Sequence, residues 1–274
     1  MIGSDNYFLL QKEYKTSLTA KYGQGESERT TIQHAVDGAI KLIDALALRD
    51  ILTATKPMRI LEVGTFLGFS LRWIFESTKG YGPRVTSLDP RVRHRIFDDL
   101  KTHVQMFNSA YVNQLTLVDA YLSERNDDMF LHDYLKFPPI WEKQKALAFL
   151  QSIPTITEPF GHFDFAFVDG DHGFNATVLN VALSARMMPH GGTIVVHDAL
   201  SWPKVIPALN ALAAIGVIEL QYLAGQRLYQ WMTDHHLLGR SAGPLKATLC
   251  DGLAVVKVPA NAAVNVLAVK SLLL

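Results

Sequence analysis

Glu62-Val63-Gly64-Thr65-Phe66-Leu67-Gly68-Phe69-Ser70 follows an apolar stretch and carries two glycines suited to a ligand-binding turn. Gly64 permits a tight turn, and Gly68 lets backbone approach a ligand closely. A dinucleotide fingerprint needs a second glycine two residues after the first, so that backbone meets a pyrophosphate. Phe66 stands at that position, where its ring would crowd the phosphates. Glu62 offers a carboxylate, better suited to a cationic amine than to a phosphate. S-adenosylmethionine brings an ammonium, a sulfonium and no phosphate, so the loop favours it over NAD. Glu62, Gly64, Thr65, Phe66, Gly68 and Ser70 are therefore the candidate cofactor contacts.

Asp89 lies about twenty residues beyond that loop, the spacing at which a carboxylate accepts both ribose hydroxyls of a bound nucleoside. The plainer role, a turn or capping aspartate before Pro90, stays open. Asp119-Ala120 falls where an adenine would sit, or is an ordinary loop acid. Farther on stand Asp169-Gly170-Asp171-His172 and His197-Asp198. An imidazole titrating near pH 6.5 is suited to general-base work near neutrality, so His172 is a candidate base. A histidine that only caps the following helix is the competing role. The adjacent pair His235-His236 diverges on either a helix or a strand and reads as loop.

These residues need a scaffold that brings them to one edge. Ile32, Val36, Ile40, Ile43 and Ala47 recur at helical spacing, predicting one amphipathic helix to about Leu52, closed by Thr55-Lys56-Pro57. Short apolar runs then alternate with helical patterns. Strands are expected at Arg59 to Val63, Arg84 to Leu88, Leu115 to Val118, Asp164 to Val168 and Thr193 to Val196. Helices are expected from about Gly68 to Ser77, Arg93 to Met106 and Phe174 to Met187. Strands apolar on both faces imply a parallel sheet covered on both sides, an α/β, Rossmann-like doubly wound fold with N-terminal helices. Three segments result: residues 1–56, helical and a candidate lid or dimer element; 57–258, the main domain with an insertion at 120–162; and a tail at 259–274. The tail from Val264 is expected to pack as a last helix or strand.

The run Leu61 to Ser70, then Ser87-Leu88-Asp89, then Phe163 to His172, then Gly191 to Asp198 resembles class I S-adenosylmethionine-dependent methyltransferases. It is similar to the small-molecule O-methyltransferases of the catechol and caffeoyl-coenzyme A type. It is more similar still to the branch holding macrolide-sugar O-methyltransferases and cephalosporin hydroxylase proteins. The resemblance covers roughly Pro57 to Val258 and implies a final antiparallel hairpin from Val217 to Tyr222 and Leu253 to Val258. It also implies methyl transfer to a hydroxyl of a small molecule, and a homodimer. Asp169 and Asp198 match positions that help bind a divalent cation such as Mg2+ in those enzymes, and His172 matches their catalytic lysine. Ala199 stands where the catechol type supplies a further ligand, so a metal-free site with Asp169 near the methionine moiety stays equally open. His197 is expected to support the site, because strand alternation turns it away from Asp198.

Composition narrows the partners. Lys plus Arg equals Asp plus Glu at 26 each, which gives no electrostatic reason to expect nucleic acid or an anionic membrane. Hydrophobic residues make up 49% of the 274, enough for one large core. Cys250 is the single cysteine, and with no signal-like start or long apolar run a cytoplasmic setting is expected. Two other readings remain: a catalytically silent protein of methyltransferase fold, and a nicotinamide oxidoreductase, which Phe66 and Glu62 disfavour.

Overall fold

The computed structural model describes residues 3–37, 39–66, 68–89, 114–118, 162–235, 250–260, 262 and 264–273. The expected helix at 93–106, the loop pair Asp119-Ala120, most of the 120–162 insertion and His236 lie outside the described residues.

Seven strands form one sheet: β1 (Arg59–Val63), β2 (Arg84–Leu88), β3 (Leu115–Val118), β4 (Phe165–Val168), β5 (Gly192–Val196), β6 (Glu219–Ala224) and β7 (Leu253–Val258). Their order is β3-β2-β1-β4-β5-β7-β6, with β1 to β5 parallel and β7 antiparallel to both β5 and β6. The expected strands thus appear with closely matching bounds. The final pair, however, is joined through a helix and a long connection rather than a tight turn. That pair begins at Glu219 instead of Val217, since Val217 and Ile218 are drawn into the core beneath the sheet end.

Among the described residues the helices are α1 (Ser4–Tyr22), α2 (Glu26–Asp37), α3 (Leu42–Thr55), α4 (Phe69–Thr78), α5 (Phe174–Arg186), α6 (Val205–Ala214), α7 (Gln226–Asp234) and α8 (Val266–Leu272). Strand alternation divides the core in two. Leu61, Val63, Ala166, Val168, Ile194 and Val196 face one layer, shared with α5, α6 and α8. Ile60, Phe165, Phe167 and Val195 face the other, shared with α1, α3 and α4. The tail therefore ends as a helix, α8, whose Asn265 side chain caps its first turn by accepting from Leu267 and Ala268.

The single helix expected from Ile32 to Leu52 is two helices. α2 stops at Asp37 and α3 starts at Leu42, and the interruption rephases the apolar stripe. In α3 the buried positions are Asp44, Ala45, Leu48, Ile51 and Leu52, while Ile43 and Ala47 are only half-buried. One carboxylate thus lies in the apolar stripe. Trp73 of α4 donates its indole N–H to the Ala45 carbonyl at 2.6 Å, locking α3 to α4.

Candidate functional site

The glycine loop leaves the carboxyl end of β1, the edge at which open α/β sheets bind ligands. Gly64 has φ +95°, and a Cβ there would lie 2.2 Å from the Asp169 carbonyl oxygen. The loops after β1 and β4 therefore touch, and only glycine fits between them. Gly64 donates to the Leu88 carbonyl at 2.9 Å and Gly68 to the Thr65 carbonyl at 2.7 Å, which closes the turn. Phe66 adopts φ +46°, unusual for a side-chain-bearing residue, and its amide donates to Asp89 Oδ2 at 2.6 Å. Asp89 thus follows the end of β2 with its carboxylate already turned onto the loop.

Glu62, Thr65 and Ser70 sit beneath the loop. Glu62 is fully buried and pairs in register with Ser87 of the neighbouring strand. Its Oε1 accepts from the Ser70 hydroxyl at 2.8 Å, and its Oε2 accepts from the Ser87 hydroxyl. Ser87 in turn meets the buried Thr65 hydroxyl, so these side chains form one hydrogen-bonded chain under the turn. Burial pushes the Glu62 carboxyl up to about 8, against the two serine hydroxyls that favour its ionised form. Its proton is retained in the fold after the unfolded chain has lost it above the ordinary value of 4.5. The associated stability is complete below that value and is lost as pH rises through about 8. Glu62→Gln should consequently match the parent's melting temperature near pH 4 and exceed it by about 5 °C near pH 9. Parallel thermal melts across that range test it, and a constant difference would contradict the buried neutral carboxyl.

The second half of the site joins the ends of β4 and β5. Asp169 follows β4, and its amide donates to the Val63 carbonyl at 2.8 Å. Asp171 Oδ1 accepts from the Gly173 amide at 2.6 Å, so Asp171, not His172, orders the entry to α5. This frees the His172 ring to place Nε2 3.1 Å from Asp198 Oδ2, under the half-exposed Trp202, whose ring lies 5.2 Å away. Asp198 Oδ1 also accepts from the Ser201 hydroxyl.

His197 is buried at the centre of this group. Its Nδ1 donates to Asp169 Oδ1 at 2.9 Å and lies 3.3 Å from Asp198 Oδ2. Strand alternation alone would separate His197 from Asp198. β5 has ended by then, and Asp198 takes a left-handed backbone, φ +57°, that swings its carboxylate back toward the imidazole. Burial opposes a charge on His197, yet Asp169 and Asp198 outweigh it and raise its pKa well above the usual histidine range. Burial likewise opposes the Asp198 charge, and His197, His172 and Ser201 overcome it to hold that carboxyl well below its ordinary range.

Asp169, His172 and Asp198 each bring one ligand atom to within 4.8 Å of the others. Two carboxylate oxygens and an imidazole nitrogen make a donor set that fits a divalent cation. The buried Ala199 offers no ligand atom, so His172 would be the third ligand of such an ion. A second convergence, Asp44, His197 and Asp251, is a hydrogen-bond hub: Asp44 accepts from the backbone amides of Asp251 at 2.6 Å and Gly252 at 3.1 Å. Burial and the nearby Asp198 push the Asp251 carboxyl up to about 6.

Asp44, Ser201 and Asp251 join the site with no motif to mark them, and Ser87 belongs to the Ser87-Leu88-Asp89 run without a role assigned to it there. A signal existed for Asp44, a charge at helical spacing with Ile40, Leu48 and Ile51. Ser87 becomes visible only once β1 and β2 are in register. His235 caps the end of α7, its Nδ1 2.8 Å from the Trp231 carbonyl.

The model of a family described as a methyltransferase domain matches residues 61–199, just over half of the chain, and this chain belongs to that family. Among solved structures, an O-methyltransferase from Bacillus cereus in complex with SAH is 14% identical. The alignment covers 91% of this chain and 90% of that one, with a TM-score of 0.54. An SAH-bound methyltransferase from Podospora anserina is 12% identical, covering 91% of this chain and 87% of its own, with a TM-score of 0.51. At these identities the likeness is one of fold. No curated protein matches the sequence. Among the described residues, no helix is long and apolar enough to cross a membrane.

Proposed function

We propose that this methyltransferase moves the methyl group of S-adenosylmethionine to a hydroxyl of a small molecule. The observation that carries this is the contact of the Gly64 turn with Asp169, which places a nucleoside-binding loop beside a carboxylate and histidine centre. Asp89 would receive the ribose hydroxyls, the backbone of the Gly64 turn would approach the cofactor, and Asp169 would meet its ammonium. Glu62, Thr65 and Ser70 support that loop from below through their shared hydrogen bonds. Asp119 and Ala120 remain the adenine candidates.

The bound cofactor supplies the methyl group on a sulfonium, which is its own leaving group. The protein's work is alignment and removal of one proton from the acceptor. Asp198 orients His172 through the 3.1 Å contact, the base-and-orienter pair that proton abstraction requires. The convergence of Asp169, His172 and Asp198 supports a second reading, in which those three would hold Mg2+ and Lewis acidity would be supplied to the acceptor hydroxyl. A cytoplasmic setting is in keeping with one cysteine and a balanced charge, and a homodimer, with residues 1–56 as lid or dimer element, completes the proposal.

Calorimetric titration with S-adenosylhomocysteine (SAH), repeated with NADH, tests the cofactor assignment. Saturable SAH binding without NADH binding supports it; binding of neither favours a silent scaffold. SAH release over a panel of hydroxylated acceptors tests the base. His172→Ala should lower turnover about a hundredfold while leaving SAH affinity unchanged. A fully active variant eliminates the base. Loss of activity in EDTA, restored by Mg2+, selects the second reading.

A further inference from the structure

Asp44 of α3 is fully buried, yet no step of the proposed reaction uses it. Desolvating a carboxylate costs several kcal/mol unless donors surround it. Three come from the chain entering β7: the Gly252 amide and the Cys250 thiol, at 3.2 Å, on Oδ1, and the Asp251 amide on Oδ2. His197 faces the same carboxylate at ion-pair distance, its Nε2 3.5 Å from Oδ2. That imidazole nitrogen makes no hydrogen bond among the described residues, and the Asp44 carboxylate is the charge it faces.

The imidazole is a rigid ring, so what holds one nitrogen sets the direction of the other. On its far side Nδ1 meets Asp169 Oδ1 at 2.9 Å. The backbone of Asp169 is already fixed by its bond to Val63 and its contact with Gly64. The remaining freedom is the carboxylate's rotation, and His197 restricts it.

We propose that Asp44 and His197 are positioning residues: through the imidazole, α3 aims the Asp169 carboxylate at the ammonium of the cofactor's amino-acid end. The inference rests on the cofactor reading given above. It assigns α3 a part in cofactor recognition that acts through His197. Asp44 alone would be a buried plug between α3 and β7. Its alignment with His197 and Asp169 is what a plug does not need.

The test compares two ligands on the full chain. SAH carries the amino-acid end; 5′-methylthioadenosine keeps the nucleoside and sulfur and lacks it. His197→Asn should weaken SAH about tenfold or more while changing 5′-methylthioadenosine less than about twofold. Asp44→Asn, which keeps size and one acceptor oxygen, should act in the same direction by about threefold. Equal weakening of both ligands would reveal a merely structural role and overturn the proposal, as would unchanged SAH affinity in a folded variant. If His197→Asn fails to fold by circular dichroism, Asp44→Asn decides by the same comparison. An unsubstituted chain that binds neither ligand refutes the cofactor reading itself, and this inference falls with it.

Discussion

Gly64→Ala should abolish measurable SAH binding and lower the melting temperature together. The added Cβ would stand 2.2 Å from the Asp169 carbonyl oxygen and 2.6 Å from its carbonyl carbon. Both are backbone atoms, so no side-chain rotation relieves the overlap. The residue must also hold φ +95°, a region that costs an L-amino acid about 1–2 kcal/mol before any clash is counted. Relief requires the loops after β1 and β4 to part, which destroys the juxtaposition of the glycine turn with Asp169. Combined strain of about 3 kcal/mol corresponds to a fall of roughly 10 °C in a domain of this size. Calorimetry and thermal melts measure the two effects. Retention of SAH affinity within tenfold would place the cofactor somewhere other than this turn.

The second large effect is expected at Asp89, with a different signature. Asp89→Ala removes the acceptor of the Phe66 amide, which steadies a residue at φ +46°. It also removes the carboxylate assigned to the ribose. Hydrogen bonds to a charged group contribute about 1.5–3 kcal/mol each, so losing a pair weakens SAH about a hundredfold or more. The fold should suffer much less than in Gly64→Ala, because no atom is forced into another. A melting temperature within a few degrees of the parent, with binding lost, is the expected combination. Full affinity in the variant would reduce Asp89 to a turn residue.

Much of the scaffold was legible beforehand, and particular residues explain why. Ile60, Leu61 and Val63 are apolar on both faces of β1, as a central parallel strand requires, and Asp89-Pro90 and Pro189 to Gly192 punctuate the pattern. Bounds for β1, β2, β3 and β7 follow from such local contrasts. The expected helix from Ile32 to Leu52 is divided, and periodicity alone does not register a break that shifts the buried stripe by one position. Asp44 lies at helical spacing from Ile40, but its burial follows from the packing of α3.

The amino-acid sequence by itself determined the alternating scaffold, the glycine turn, and the presence of Asp89, Asp169, His172 and Asp198 at strand ends. These are local properties: side-chain polarity, spacing and the backbone freedom of glycine. Only the tertiary structure decided which of these groups meet. Register between β1 and β2 buried Glu62 against Ser87 and gave it the proton that its burial favours. The left-handed turn at Asp198 brought that carboxylate to both His172 and His197. Packing of α3 against the sheet set Asp44 on His197 across more than 150 residues of chain. Such contacts depend on distances between segments remote in sequence, and hydrophobic spacing within any one segment carries no record of them.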